Sequence, residues 1–349
     1  MDKTRVFGLD LIRSISIWMV LLYHQGYNIP NLKIMGLGGF GVEIFFVLSG
    51  FLIGQILIKQ LEKENTFKSI INFWIRRWFR ILPLYYFILF IRYILDPNIG
   101  LNLLYYVFFL QNNFYGISFF EVSWSLVIEE WFYLIAPFVL FAINHFTPKS
   151  DKTKLMLIMI FLLLVNVGRY FYFQKVGQYG AISAQFVFRM DSLFLGVALA
   201  FIKLKYQSIY VFLKRKSIFL FSGISLIGYL LLAMLYSEKA QSQMFFCTIG
   251  FFLLSLFIAL LIPFMETIKV VEKKNEINRT FYKIITYTSL LTYAIYLVHP
   301  FFFYDFQRYI PNNYNFIFKI VGTYIVAYIV YRYFEKPILS LRDKFTVNK

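Results

Sequence analysis

The sequence predicts an all-α integral membrane protein of about ten transmembrane helices, with both termini cytosolic and one short re-entrant or interfacial segment on the outer side. Three observations carry that class. Apolar residues make up 60% of the 349 residues and charged ones only 15%, and mean hydropathy is +0.65, a balance foreign to an ordinary soluble domain. Apolar stretches long enough to cross a bilayer recur along the chain. The basic residues fall mainly in the short connectors between those stretches, on alternate sides.

The ten expected spans cover roughly 7–28, 37–58, 81–96, 122–143, 155–173, 183–202, 217–236, 244–265, 285–304 and 316–334. Connectors assigned to the inside hold most of the 35 Lys and Arg, whereas those assigned outside hold only Lys33, Lys175, Lys239 and Arg308. That asymmetry sets the orientation. The formal charge of +17 would suit nucleic acid, but its distribution over membrane connectors excludes that partner. Cys247 is the single cysteine, so an internal disulfide and a cysteine metal cluster are both excluded. The basic start and the apolar run after it resemble a signal sequence only superficially. No small-residue cleavage site follows, and the expectation is a retained first helix. With no repeat and no long soluble insertion, residues 1–349 read as one transmembrane domain without an appended soluble domain.

The first span carries the most informative pair. Arg13 and His24 lie eleven residues apart, which puts both on one helix face within about 20° and roughly 16 Å from each other. An arginine inside a span costs on the order of 2.5–3.5 kcal/mol, so a functional site is the default explanation. In the second span Gly38, Gly39, Gly41, Ser49 and Gly50 suit close helix approach; Glu43 needs a partner or water. The third span is expected to open at Arg76-Arg77-Trp78-Phe79-Arg80-Ile81-Leu82-Pro83, with Pro83 in its first turn. That basic cluster reads equally as an ordinary membrane flank and as a site for an anionic cytosolic ligand. Leu101–Asn113 is apolar but about 20 Å long as a helix, too short for a core of roughly 30 Å. It is therefore placed outside, where protein must shield its backbone.

In the fourth span Trp124, Ser125, Glu129, Glu130 and Tyr133 go beyond an aromatic belt. The two adjacent acids point about 100° apart, so at most one faces the site that His24 lines. The sixth span places Arg189 and Asp191 two residues apart. The ninth carries Tyr293, Tyr296, His299 and Pro300. A lone buried histidine is more often a structural hydrogen bonder than a catalyst, and Pro300 is expected to disturb the helix and free a carbonyl. His145, in an inside connector, takes no role.

Together these segments resemble the acyltransferase-3 family of membrane acyltransferases. The matching positions are Asp10, Arg13 and His24; Phe45, Phe46, Ser49, Gly50, Phe51 and Ile53; and Arg77, Arg80, Ile81 and Pro83. They continue with Trp124, Ser125, Leu126, Glu129, Glu130, Phe132 and Tyr133; with Arg189, Asp191 and Gly196; and with Tyr293, Tyr296, Leu297, His299 and Pro300. Six weak blocks in order over nearly the whole chain make a specific signal. The resemblance implies acyl transfer from a cytosolic acyl-CoA, acetyl-CoA first, to a hydroxyl of an exported or surface glycan such as O-antigen, capsule or exopolysaccharide. It implies no metal, and a multi-pass location in a bacterial cytoplasmic membrane. His24 is then the general base or a transient acyl carrier. Glu129 orients the ring in preference to Asp10, which lies about 21 Å away along the helix. Arg77, Arg80 and Arg13 hold the donor, and Arg13 also counts with His24 and Glu129 among the catalytic residues. Asp10, Ser49, Trp124, Arg189, Asp191, Tyr296 and His299 support the substrate site. Intramembrane Arg, His, Glu and Asp also line proton-coupled transporters, and that reading stays open beside the enzyme.

Overall fold

The computed structural model describes residues 5–26, 37–114, 118–147, 149–177, 182–235, 244–269, 276–305 and 315–345. Every regular element among them is helical, as a chain must be whose backbone groups meet no water in the bilayer. The helices are α1 (Phe7–Gly26), α2 (Leu37–Lys63), α3 (Phe67–Leu95), α4 (Leu103–Val107), α5 (Gln111–Phe114), α6 (Trp124–Phe146), α7 (Asp151–Val176) and α8 (Phe186–Lys205). They continue with α9 (Gln207–Leu213), α10 (Lys216–Leu235), α11 (Met244–Cys247), α12 (Ile249–Met265), α13 (Glu276–Pro300), α14 (Asn315–Val330) and α15 (Lys336–Phe345).

Among the described residues, seven helical stretches are long and apolar enough to cross a membrane: Phe7–Gln25, Leu37–Lys63, Phe67–Leu95, Glu121–Phe146, Asp151–Val176, Arg279–Asp305 and Phe316–Arg342. The other three expected spans fall on helices too over their described residues. Helix α8 carries Arg189, Asp191, Lys203 and Lys205 within its 20 residues. Helix α10 is apolar and 20 residues long, and α12 is apolar with 17 residues. Of the residues expected in outer connectors, Lys33, Lys239 and Arg308 lie outside the described residues, and Lys175 sits in the last turn of α7.

One boundary is corrected. The third helix does not open at the arginine cluster: α3 starts at Phe67, capped by the Thr66 side chain, which accepts from the Ser69 N–H, and Pro83 lies in its interior. The buried side chains Ile70, Phe73, Ile81 and Leu84 form one apolar stripe running through the basic segment, and this stripe keeps the helix going. Pro83 removes one backbone donor without ending it. Arg77 and Arg80 therefore belong to the middle of a 29-residue helix. At Pro300 the expected disturbance is present, because α13 ends there and a π-helical turn, Phe301–Asp305, follows.

The segment expected to lie at the outer side is broken into a 3-10 turn (Pro97–Asn102), α4 and α5. Phe109 holds φ 55° between the two helices, a backbone conformation uncommon for an aromatic residue. Side chains of longer helices capture its carbonyls. The Tyr85 hydroxyl donates to Tyr106 O at 2.9 Å, Tyr86 to Val107 O at 3.0 Å and Trp131 Nε1 to Phe109 O at 2.9 Å. Protein supplies the shield that irregular backbone needs.

The chain divides into two compact units. The first comprises Met1–Gly54, Asn166–Tyr179 and Asp191–Tyr293; the second comprises Gln55–Val165, Gly180–Met190 and Ala294–Lys349. Within the first, α2 and α8 cross at glycines. A Cβ on Gly50 would stand 1.9 Å from Leu193 O, and one on Gly196 would stand 2.2 Å from Val47 O. No larger residue fits that crossing. Glu266, just after α12, accepts from Lys203 Nζ in the last turn of α8 and from the Tyr210 hydroxyl of α9, each at 2.7 Å. Burial, and then Glu266 beside it, push the Tyr210 hydroxyl well above its ordinary range, so it stays protonated and donates. Within the second unit, α3 docks on α6 through Trp74, whose Nε1 donates to Tyr133 O at 3.0 Å.

Candidate functional site

Polar groups inside apolar helices survive only with partners, so the site is best built from those partners. In the first unit, Arg13 and His24 share the uninterrupted helix α1, which fixes their common face. Arg13 is not alone. Its Nη1 lies 3.3 Å from Ser289 Oγ and 3.8 Å from Asp10 Oδ1. Arg5, just before the helix, donates from Nη2 to Asp10 Oδ1 at 2.5 Å and from Nε to Oδ2 at 2.9 Å, and Ser289 donates to Oδ1 at 2.6 Å. Asp10 is thus a shared anion between two arginines at the start of α1, where helix-terminal N–H groups also favour it. Its carboxylate is engaged there, about 21 Å along the helix from His24. His24 is buried in the last turn of α1, edge-on to the Tyr23 ring with 5.2 Å between centroids.

Glu43, which required a partner, has two serines. It is 1% exposed, and its Oε1 accepts from Ser192 Oγ and, at 2.5 Å, from Ser255 Oγ. The two hydroxyls are 2.9 Å apart. Asp191 forms a buried ion pair with Arg169 of α7: Nη2 lies 2.6 Å from Oδ2, with both side chains 0% exposed. Arg169 Nη1 also donates to Thr248 O at 2.8 Å, and its guanidinium lies 5.2 Å over the Phe251 ring. Ser49 is half-buried in α2.

In the second unit, Arg77 is half-buried and Arg80 exposed. The Arg77 guanidinium lies 5.5 Å over the Tyr133 ring, and the Tyr133 hydroxyl donates to Glu129 Oε2 at 3.4 Å. Glu129 and Glu130 are the acidic neighbours of Arg77. Glu130 is 8% exposed and its Oε1 has no hydrogen-bond partner among the described residues. Tyr296 and Ser125, read as separate motifs, meet: their hydroxyls are 2.7 Å apart, and Tyr296 donates to Val122 O at 2.8 Å. Trp124 O accepts from Asn112 Nδ2 at 2.9 Å, which binds the broken segment to the start of α6. His299 is fully buried, its Nδ1 3.3 Å from Ile295 O. Arg189 is buried near the start of α8.

Two clusters of sequence-selected residues are therefore drawn together: Asp10 with Arg13 in the first unit, and Arg77, Glu129, Glu130 and Tyr133 in the second, where Ser125 also meets Tyr296. His24 belongs to the first unit and Glu129 to the second. Sequence reasoning missed Arg5, Ser289 and Arg169. Arg169 had a signal of its own, being a cation in the middle of an expected span. Arg5 and Ser289 had none, since a flanking arginine and a helix serine are ordinary.

The family model described as an acyltransferase domain matches residues 6–332. O-acetyltransferase OatA of Staphylococcus aureus is 25% identical over 95% of this chain and 57% of its own length. Peptidoglycan O-acetyltransferase OatA of Listeria monocytogenes is 29% identical over 97% of this chain and 56% of its own. The chain thus spans somewhat over half the length of these relatives. No solved structure matches.

Proposed function

The chain belongs to the acyltransferase-3 family and is a multi-pass membrane protein, and from that premise we propose that it transfers an acyl group, acetyl first, from a cytosolic acyl-CoA to a hydroxyl of an envelope glycan. Ten crossings with cytosolic termini, the whole chain acting as one domain, and a bacterial cytoplasmic membrane complete the reading. The glycan follows the relatives' printed names, one of which is a peptidoglycan O-acetyltransferase; O-antigen, capsule and exopolysaccharide are the other acceptor classes.

The observation that carries the proposal is a buried imidazole, His24, in a membrane-crossing helix whose opposite end gathers two arginines around one carboxylate. Thioester transfer needs both ends. A CoA donor is a polyanion, and Arg5 and Arg13 remain about a quarter exposed while sharing the single charge of Asp10. Arg80 is exposed as well and serves the same anion with Arg77, whose fork is more enclosed, against Tyr133. Neutral His24 removes the acceptor hydroxyl proton as the oxygen attacks the thioester carbonyl. The carbon–sulfur bond breaks, the acyl ester forms, and the proton passes to the departing thiolate. In a two-step version the imidazole carries the acyl group between donor and acceptor. Glu129, already bonded to Tyr133, steadies the imidazolium. Asp10, Ser49, Trp124, Arg189, Asp191, Tyr296 and His299 shape the site around these groups.

Thiol release from acetyl-CoA by the purified protein in nanodiscs tests this directly. Wild type releases thiol, His24→Ala releases none above background, and Arg77→Gln raises KM for the donor. Wild type that neither binds nor cleaves acyl-CoA while remaining folded sinks the enzyme. Proton-coupled transport through the same intramembrane charges is the second reading, and a proteoliposome flux assay would then decide it.

A further inference from the structure

The second unit buries a lysine that none of the chemistry above uses. Lys319, in the second turn of α14, is 0% exposed. One helical turn later, on the same face, Thr323 is also 0% exposed. Neither Lys319 Nζ nor Thr323 Oγ1 has a hydrogen-bond partner among the described residues. The ammonium lies over the Phe303 ring, 5.3 Å from its centroid. A charge inside a span is expensive and by default marks a ligand path. A cation left with an aromatic face in place of an anion is the costly case of burial.

Two further facts say where such a ligand would sit. The ring of Phe303 also lies edge-on to His299, with 5.8 Å between centroids. One ring, that of Phe303, therefore touches both the Lys319 ammonium and the imidazole near the end of α13. Phe303 belongs to the π-helical turn Phe301–Asp305, an element of poor intrinsic stability that recurs at functional sites. A turn that reverts to α-helical register carries its aromatic side chain off the ammonium.

We propose that Lys319 and Thr323 form an acceptor subsite for an anionic oxygen, namely the carboxylate of an acidic sugar, with Phe303 as its displaceable cover. This rests on the acyltransferase reading and names its substrate class. The ammonium pairs with the carboxylate, the Thr323 hydroxyl donates to its second oxygen, and the sugar ring lies toward His299. A glycan lacking that charge leaves the ammonium facing Phe303.

The test uses the full chain in nanodiscs of phosphatidylcholine. Two disaccharides are compared, one with a single lactyl ether carboxylate and the same sugar with that group converted to its amide. Wild type is expected to bind the acid at least about tenfold more tightly, as a desolvated charge pair requires. Lys319→Met removes that preference, and Thr323→Val weakens the acid by about fivefold. Without ligand, Lys319→Met unfolds at the same temperature as wild type or higher, because an unpaired buried charge has been removed. A lower unfolding temperature, or failure to fold, makes the ammonium a structural partner of Phe303 and overturns the subsite. Equal binding of both sugars by wild type, or a preference that Lys319→Met retains, overturns it too. Loss of the acid preference when phosphatidylglycerol is added assigns Lys319 to a lipid phosphate instead. Acetyl transfer to either sugar, measured in parallel, supports the acyltransferase whatever the binding shows; no transfer with acid-selective binding intact would sink the acyltransferase and leave the subsite.

Discussion

The two units differ in how fully their buried charge is paired. In the first, described ionic groups inside the apolar helices are drawn into partnerships within the unit: Asp10 with Arg5 and Arg13, Asp191 with Arg169, Glu43 with Ser192 and Ser255. In the second, Arg92 pairs with Asp305 at 3.0 Å and Glu130 has Arg77 as a neighbour, but Lys319 Nζ is enclosed without a hydrogen bond among the described residues. The contrast separates two uses of an intramembrane charge. A charge paired inside the protein holds helices together; Lys319, on the proposal above, is held for a ligand.

If that division is right, substitutions in the two units should differ in sign as well as size. The largest loss belongs to Arg169→Met, which strands Asp191 and should cost about 3–5 kcal/mol. Thermal unfolding in detergent should show a collapsed midpoint, and a midpoint near wild type would break the comparison. Glu43→Ala comes next. Ser192 loses its carboxylate acceptor, at about 1–3 kcal/mol, and Ser255 loses less because it keeps its bond to Phe251 O at 2.9 Å; Glu43→Gln, which keeps an acceptor oxygen, should recover much of it in the same assay.

Tyr210→Phe is smaller, about 1.5–3 kcal/mol for one hydrogen bond to a charged group. Its pH course sharpens the point. The Tyr210 hydroxyl is pushed up in the folded state, so its contribution is complete below the unfolded value of about 10 and fades only above it. Wild type and Tyr210→Phe should therefore differ by a constant amount from pH 6 to 9, and a gap that changes across that range would contradict the assignment. The smallest effect falls on Lys319→Met, where stability should hold or rise.

Much of this was legible in the sequence. Over their described residues the expected apolar stretches fall on helices, seven of which are long and apolar enough to cross a membrane, because hydrophobic length is the dominant signal in a membrane chain. The start of α3 was misplaced by a strong local cue. Pro83 suits a first turn, yet the stripe of Ile70, Phe73 and Ile81 continues the helix through it. Glu43 was rightly seen to need a partner, but Ser192 and Ser255 come from a helix about 150 and another about 210 positions away, and no local rule supplies such pairings. The pairing of Asp191 with Arg169 was hidden for the same reason, with Arg189 nearer in sequence.

The most direct measurement is the acetyl ester content of envelope glycan in bacterial cells expressing the wild-type chain or His24→Ala at matched membrane levels. The expected result is a rise in glycan acetyl ester with wild type that is absent with His24→Ala. An equal rise in both would contradict the role of His24, and no rise in either, from folded and inserted protein, would contradict the acyltransferase itself.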